Sequence, residues 1–97
     1  PLEIVSWTNE EGARFAPAMV SSGVFAGEFS LDYGWSRTDK NGRSLHDELV
    51  RIGYKGEAAV GARPLAAFLE LHIEQGPILE KLGVPIGVGL GVQGMRW

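Results

Sequence analysis

Apolar positions in this chain come in short blocks, separated by glycines and polar turns. Leu2 to Thr8 (LEIVSWT) is rich in β-branched and aromatic residues and reads as a buried strand. It runs into Asn9-Glu10-Glu11-Gly12, and open α/β sheets place their sites just past the C-terminal ends of strands. Arg14 to Ser22 predicts a short helix, with Pro17 in its first turn and Gly23 after its end. Val24 to Phe29 is short and apolar and takes no assignment. Thr38-Asp39-Lys40-Asn41-Gly42 predicts a turn. Ser44 then caps a helix from Leu45 to about Ile52, with Asp47 three residues on as in a capping box. Leu45, Leu49 and Ile52 form its apolar stripe, and Gly53 stops it.

The second half changes period. Ala67 to Glu74 (AFLELHIE) alternates: Leu69, Leu71 and Ile73 face one way, Glu70, His72 and Glu74 the other. Gly76-Pro77 breaks this strand, and Ile78 to Leu82 makes a helical turn or two. From Pro85 to Trp97 the chain reads as one or two extended segments with glycines. The chain opens directly in a strand and closes in the strand-like Met95-Arg96-Trp97, so an internal piece of a longer protein is expected, with strand edges that need neighbours.

Composition narrows the chemistry. The 97 residues fit one small domain at most. The net charge is −3 and no basic stripe exists, which argues against binding nucleic acid through its phosphates. There are no cysteines, so disulfides and thiolate metal sites are excluded and any metal must sit on nitrogen and oxygen. This fits a cytoplasmic protein. No apolar run approaches the roughly 20 residues of a membrane helix. The 14 glycines are spread along the chain, which argues for tight turns between short elements and against a disordered linker.

Two places carry candidate chemistry. Adjacent carboxylates at a strand end, Glu10 and Glu11, repel each other unless a cation or proton separates their roles. A metal site does so: one carboxylate ligates, and the other takes a proton from water. The dipeptide alone reads more often as a solvated acidic turn. His72 lies mid-strand between Glu70 and Glu74, either of which could hold the ring nitrogen that a metal leaves free. Alone, it reads more often as a histidine on a polar sheet face. His46, beside Asp47 on a helix, reads as surface. Asp39 to Gly42 lacks the oxygen spacing of a calcium loop. The glycines from Gly87 to Gly94 lack the Lys-Ser/Thr of a phosphate loop. Trp7, Trp35 and Trp97 read as core or interface anchors.

Together these residues resemble a known family. Trp7-Thr8-Asn9-Glu10-Glu11-Gly12-Ala13-Arg14-Phe15, with Met19 to Gly27 after it, is similar to the central motif of the amidase/hydantoinase/carbamoylase branch of zinc-aminopeptidase-like hydrolases. Glu70-Leu71-His72-Ile73-Glu74-Gln75-Gly76-Pro77 resembles the second signature of that branch, in the same order and at a matching distance. The end, Gly91 to Trp97, resembles the segment leading into the family's lid domain.

The resemblance implies an α/β catalytic domain with a mixed sheet between helices, here residues 1–89, and the first strand of an α+β lid, residues 90–97. It implies Glu10 as general base, Glu11 and His72 as metal ligands, and Gln75 as a substrate contact. The implied cofactor is a pair of divalent ions (zinc, manganese, cobalt or nickel), and the implied parent is a homodimer. The implied reaction is hydrolysis of the carbamoyl C–N bond of an N-carbamoyl-L-amino acid or related ureido acid, with release of ammonia and carbon dioxide. Allantoate hydrolysis and a non-catalytic binding or assembly module on the same fold are the alternatives. The family's His-x-Asp pair and its last histidine have no counterpart among these 97 residues, and His46 lacks the spacing to replace them. The expected metal site is therefore incomplete, and the chain by itself is expected to be inactive.

Overall fold

The computed structural model describes residues 2–61, 64–91 and 94. The chain divides into two compact units, Pro1–Pro64 and Leu65–Trp97.

The first unit holds three short helices: α1 (Val20–Ala26), α2 (Leu31–Trp35) and α3 (Leu45–Arg51). Two of them start on serine caps that satisfy an otherwise orphaned backbone N–H. Ser30 Oγ accepts from Tyr33 N at 3.0 Å, and Ser44 Oγ accepts from Asp47 N at 3.0 Å. The Ser44 cap and the start of α3 agree with the sequence pattern. Ile52 caps the other end, and Gly53 follows at φ 71°. Gly34 allows α2 to approach α1, since a Cβ there would meet Val24 Cγ2 at 3.0 Å. The core is Phe15, Val20 and Leu45, with Leu49 packed against it. Trp7 packs edge-on against Phe25 at 5.4 Å, and Trp35 against His46 at 5.0 Å. Both tryptophans are half-buried anchors, as expected. Trp97 lies outside the described residues.

The turn at Asp39 forms as expected. Asp39 Oδ1 accepts from the backbone N–H groups of Asn41 and Arg43 at 2.9 and 3.0 Å. The turn closes with an antiparallel bridge between Thr38 and Ser44.

Three expectations are corrected. The helix expected over 14–22 begins only at Val20. Pro17 has no N–H to give a helix and disfavours helical backbone at Ala16. The Asn9 carboxamide instead takes the Phe15 carbonyl at 2.7 Å, which holds residues 14–18 as an irregular loop. Second, α2 has no counterpart in the sequence reading. Third, Leu2 to Thr8, Ala67 to Glu74 and Pro85 to Gly91 form no ladder, and no strand occurs among the described residues. Alternation prepares a segment for a sheet, but a sheet exists only when a second strand takes up its hydrogen bonds. Ile4 and Leu71 are accordingly 95 % and 98 % exposed. The mixed sheet is thus absent from the described residues, whose regular structure is helical.

Among its described residues the second unit has one helix, α4 (Ile78–Leu82), ending at Gly83 with φ 63°. Leu79 apart, its described residues are all exposed. Of the lid strand expected over 90–97, residues 92, 93 and 95–97 lie outside the described residues, as do Ala62 and Arg63 in the connection after Gly61. No helix among the described residues is long and apolar enough to cross a membrane.

Candidate active site

The Glu10-Glu11 pair sits on a sharply turned loop that its own neighbours brace. Asn9 has φ 55° and Gly12 φ 66°, so the pair is bracketed by two left-handed residues. Asparagine tolerates this backbone because its short side chain bonds locally. Asn9 Nδ2 donates to the carbonyls of Phe15 (2.7 Å) and Pro17 (3.4 Å), and Asn9 Oδ1 accepts from Phe15 N at 3.4 Å. From the far side, Met19 N donates to the Glu10 carbonyl at 2.7 Å. Ser21 Oγ donates to the Thr8 carbonyl at 2.5 Å. Both glutamates are exposed, while the loop beneath them is held by these five hydrogen bonds.

That loop is fastened to α3 by an ion network. Arg14 donates through Nε (3.0 Å) and Nη2 (2.8 Å) to Asp39 Oδ2, and through Nη1 (2.7 Å) to Glu48 Oε2. Glu48 also receives Arg51 at 2.9 and 3.1 Å and Arg43 at 3.2 Å. Glu48 is only 7 % exposed, and a carboxylate so covered is stable only when paired. The hydrogen bonds from Arg51, then Arg14 and Arg43, hold its pKa down to about 2 against the opposing effect of burial. Arg14 likewise leads the effects that lower Asp39, with the backbone N–H of Arg43 next.

A pH prediction follows. Glu48 titrates in the folded state at about 2, below its ordinary 4.5, so the folded state binds fewer protons there than the unfolded one. Its stabilisation is complete above about 4.5 and is lost as pH falls through the folded pKa. Melting temperatures followed by circular dichroism should fall over that window, and Glu48→Gln should flatten the fall. An equally steep acid limb in the variant would remove Glu48 as its source.

His72 and Gln75 belong to the second unit. His72 is exposed, and its Nδ1 lies 2.6 Å from the Ile73 carbonyl. A carbonyl only accepts, so Nδ1 is the donor of this contact. The orienting partner is thus a backbone carbonyl, whereas the sequence suggested Glu70 or Glu74. Glu74 instead caps α4, accepting from Ile78 N at 3.1 Å and Leu79 N at 3.0 Å. Gln75 is exposed with φ 54°, the left-handed residue between that strand-like run and α4. His46, expected at the surface, is half-buried against Trp35, and its Nδ1 meets Asp47 Oδ1 at 3.3 Å.

The donor types suit a divalent ion: exposed carboxylates and an exposed imidazole. Among the described residues, no three histidine or acidic side chains gather into a metal-holding cluster. A cleft of the first unit, about 510 Å³, is mainly apolar, and neither Glu10 nor Glu11 lines it. A smaller one of about 200 Å³ lies between Asn9, Arg14 and Phe15 on one side and Glu48 and Arg51 on the other.

No family model matches the chain. The N-carbamoyl-L-amino-acid amidohydrolase of Rhizobium meliloti is 56 % identical over 97 residues, which is all of this chain and 23 % of that protein. The allantoate deiminase of Arabidopsis thaliana is 32 % identical over 106 residues, covering 97 % of this chain and 19 % of that protein. The crystal structure of a hydantoinase/carbamoylase-family amidase from Burkholderia multivorans superposes with a TM-score of 0.77 at 65 % identity, over 79 % of this chain and 19 % of that one. These relatives are hydrolases, and the chain spans about a fifth to a quarter of their length. Along that span, the chain is similar to proteins named N-carbamoyl-L-amino-acid amidohydrolase and hydantoinase/carbamoylase-family amidase.

Proposed function

We propose that these residues form part of a metal-dependent hydrolase of the carbamoyl C–N bond of N-carbamoyl-L-amino acids. The observation that carries this reading is the Glu10-Glu11 pair: two exposed carboxylates on a loop braced from Asn9, Met19 and Arg14. A catalytic base must be held still and reach water at the same time, and this loop meets both needs.

In this reading Glu11 and His72 hold divalent ions, which when bound polarise the substrate carbonyl. Glu10 stays off the metal. It accepts the proton of the attacking water and returns it to the departing nitrogen, so it ends the cycle as it began. Gln75 contacts the substrate. Ammonia and carbon dioxide leave, and the free amino acid remains. Greater identity to the Rhizobium carbamoylase than to the Arabidopsis allantoate enzyme, 56 % against 32 %, favours a carbamoyl amino acid over allantoate.

The test is ammonia release from N-carbamoyl-L-amino acids and from allantoate, with zinc, manganese, cobalt or nickel added. The full product of the gene should turn over the carbamoyl compound, while the 97 residues alone should show no turnover and weak metal binding. No turnover by the full product with any metal would sink the reading. A stable full product that binds a protein partner but neither metal nor substrate would favour the assembly module.

A further inference from the structure

Arg14 takes no part in the chemistry proposed above, yet it makes three side-chain hydrogen bonds to two carboxylates. We infer that Arg14 is a positioning residue for Glu10 and Glu11, gripping Asp39 and Glu48 so that α3 and the Asp39 turn fix the loop that carries the two carboxylates. This rests on the proposed role of that pair.

The physical path is short. Arg14 spends all three guanidinium nitrogens on two carboxylates from separate elements: Nε and Nη2 on Asp39, Nη1 on Glu48. Asp39 and Glu48 are held by other groups as well. Two backbone N–H groups fix Asp39, and Arg43 and Arg51 fix Glu48. The anchors are therefore rigid independently of Arg14. The guanidinium also lies 5.0 Å from the centre of the Phe15 ring, and Phe15 is a core residue. The Phe15 backbone in turn is bonded in both directions to Asn9, and Asn9 directly precedes Glu10. Fixing Arg14-Phe15 thus fixes Asn9, and through it the direction in which the pair leaves the loop. A planar fork suits this task, because a lysine can deliver its charge to one carboxylate but cannot span both with the same geometry. The side chains of Asp39 and Glu48 are 5 % and 9 % exposed, so water cannot readily replace the lost partner.

The experiment uses the full gene product and compares wild type with Arg14→Gln, Arg14→Lys and Asp39→Asn. For each, kcat and KM are measured on an N-carbamoyl-L-amino acid, with the melting temperature, bound metal and exchange rate of the Met19 amide that donates to the Glu10 carbonyl. A misplacement of about 1 Å costs on the order of 100-fold in rate, so Arg14→Gln should lower kcat by about 10- to 100-fold with KM little changed. Arg14→Lys should recover part of it, and the Met19 amide should exchange faster in both. Where Arg14→Gln does not fold, Asp39→Asn, which removes one half of the grip, should show the smaller drop and the same exchange. A folded Arg14→Gln variant with wild-type kcat would overturn the proposal. So would unchanged Met19 exchange, a readout that needs no activity and stands even where the wild type fails to turn over carbamoyl amino acids. A kcat loss that merely tracks the unfolded fraction would also overturn it.

Discussion

Glu10→Gln in the full gene product should lower kcat by about 100- to 10,000-fold while leaving bound metal unchanged. The amide keeps the shape of the side chain and loses the ability to take a proton. The loop should not respond, because its bonds run through backbone atoms of residue 10 and through Asn9, none of which the change touches. Only the Glu10 carbonyl is engaged, by Met19 N at 2.7 Å. The neighbouring change, Glu11→Gln, should behave differently, losing metal affinity first and activity as a consequence. Measuring metal content and kcat for the two variants together separates the roles assigned to adjacent, equally exposed carboxylates. If Glu10→Gln kept more than about a tenth of wild-type kcat with full metal, general-base catalysis worth the usual 100-fold or more could not be its role. If both variants lost metal alike, the pair would act as a joint ligand.

Local signals in the sequence foretold local structure. Ser44 before an apolar stripe gave the start of α3, and Gly53 gave its end. Asp39 gave a turn because its carboxylate bonds backbone two and four residues on. What failed was non-local. Leu2 to Thr8 has the residue types of a strand and Ala67 to Glu74 the period of one, but a ladder needs a partner, and neither signal says where that partner is. The start of α1 was misplaced because Pro17 suits the first turn of a helix yet also disfavours helical backbone at Ala16, and the helix begins only at Val20. The short α2 was missed although Ser30 supplies its cap.

The site was legible in part for the same reason. Glu10, Glu11 and His72 stand out as chemical types, and each is exposed. The residues that brace them do not stand out. One signal was present and went unread: Glu48 lies three residues after Leu45 and one before Leu49, on the stripe assigned to the core. A charge on a core stripe demands partners, and three arginines supply them. Which arginines would do so could not be read from spacing, since Arg14 is 34 residues away. Glu74 shows the converse. It was a candidate partner for His72, but the backbone N–H groups at the start of α4 were closer claimants.

Gly12→Ala should be among the most damaging single-methyl additions to this loop, and its cost can be divided. Gly12 has φ 66°, where an L side chain costs about 1–2 kcal/mol. Gly42 has φ 77° in an open turn, where an added Cβ meets nothing within 4 Å. Gly42→Ala should therefore lose the backbone cost alone. At Gly12 the new Cβ would also lie 2.6 Å from Ala18 N and 2.7 Å from Ala18 Cα. These are backbone atoms one residue before the Met19 N–H that bonds the Glu10 carbonyl, so they cannot swing aside as a side chain would. Relieving the clash means moving residues 17–19 away from residues 9–12, at a further cost of about 1–3 kcal/mol for overpacking. The same movement opens the Met19–Glu10 bond and turns the glutamate pair. Thermal melts of the two variants should thus show Gly12→Ala the less stable, and only Gly12→Ala should lose metal and turnover at temperatures where it remains folded. Equal destabilisation by the two, with turnover kept in both, would mean that the loop yields to the methyl group and that the close approach to Ala18 does not hold the pair. Equal stability loss with loss of turnover in Gly12→Ala alone would mean that the approach matters for geometry and carries little energy. The melts therefore measure how stiff the loop is, and the assays measure how much of that stiffness the carboxylates need.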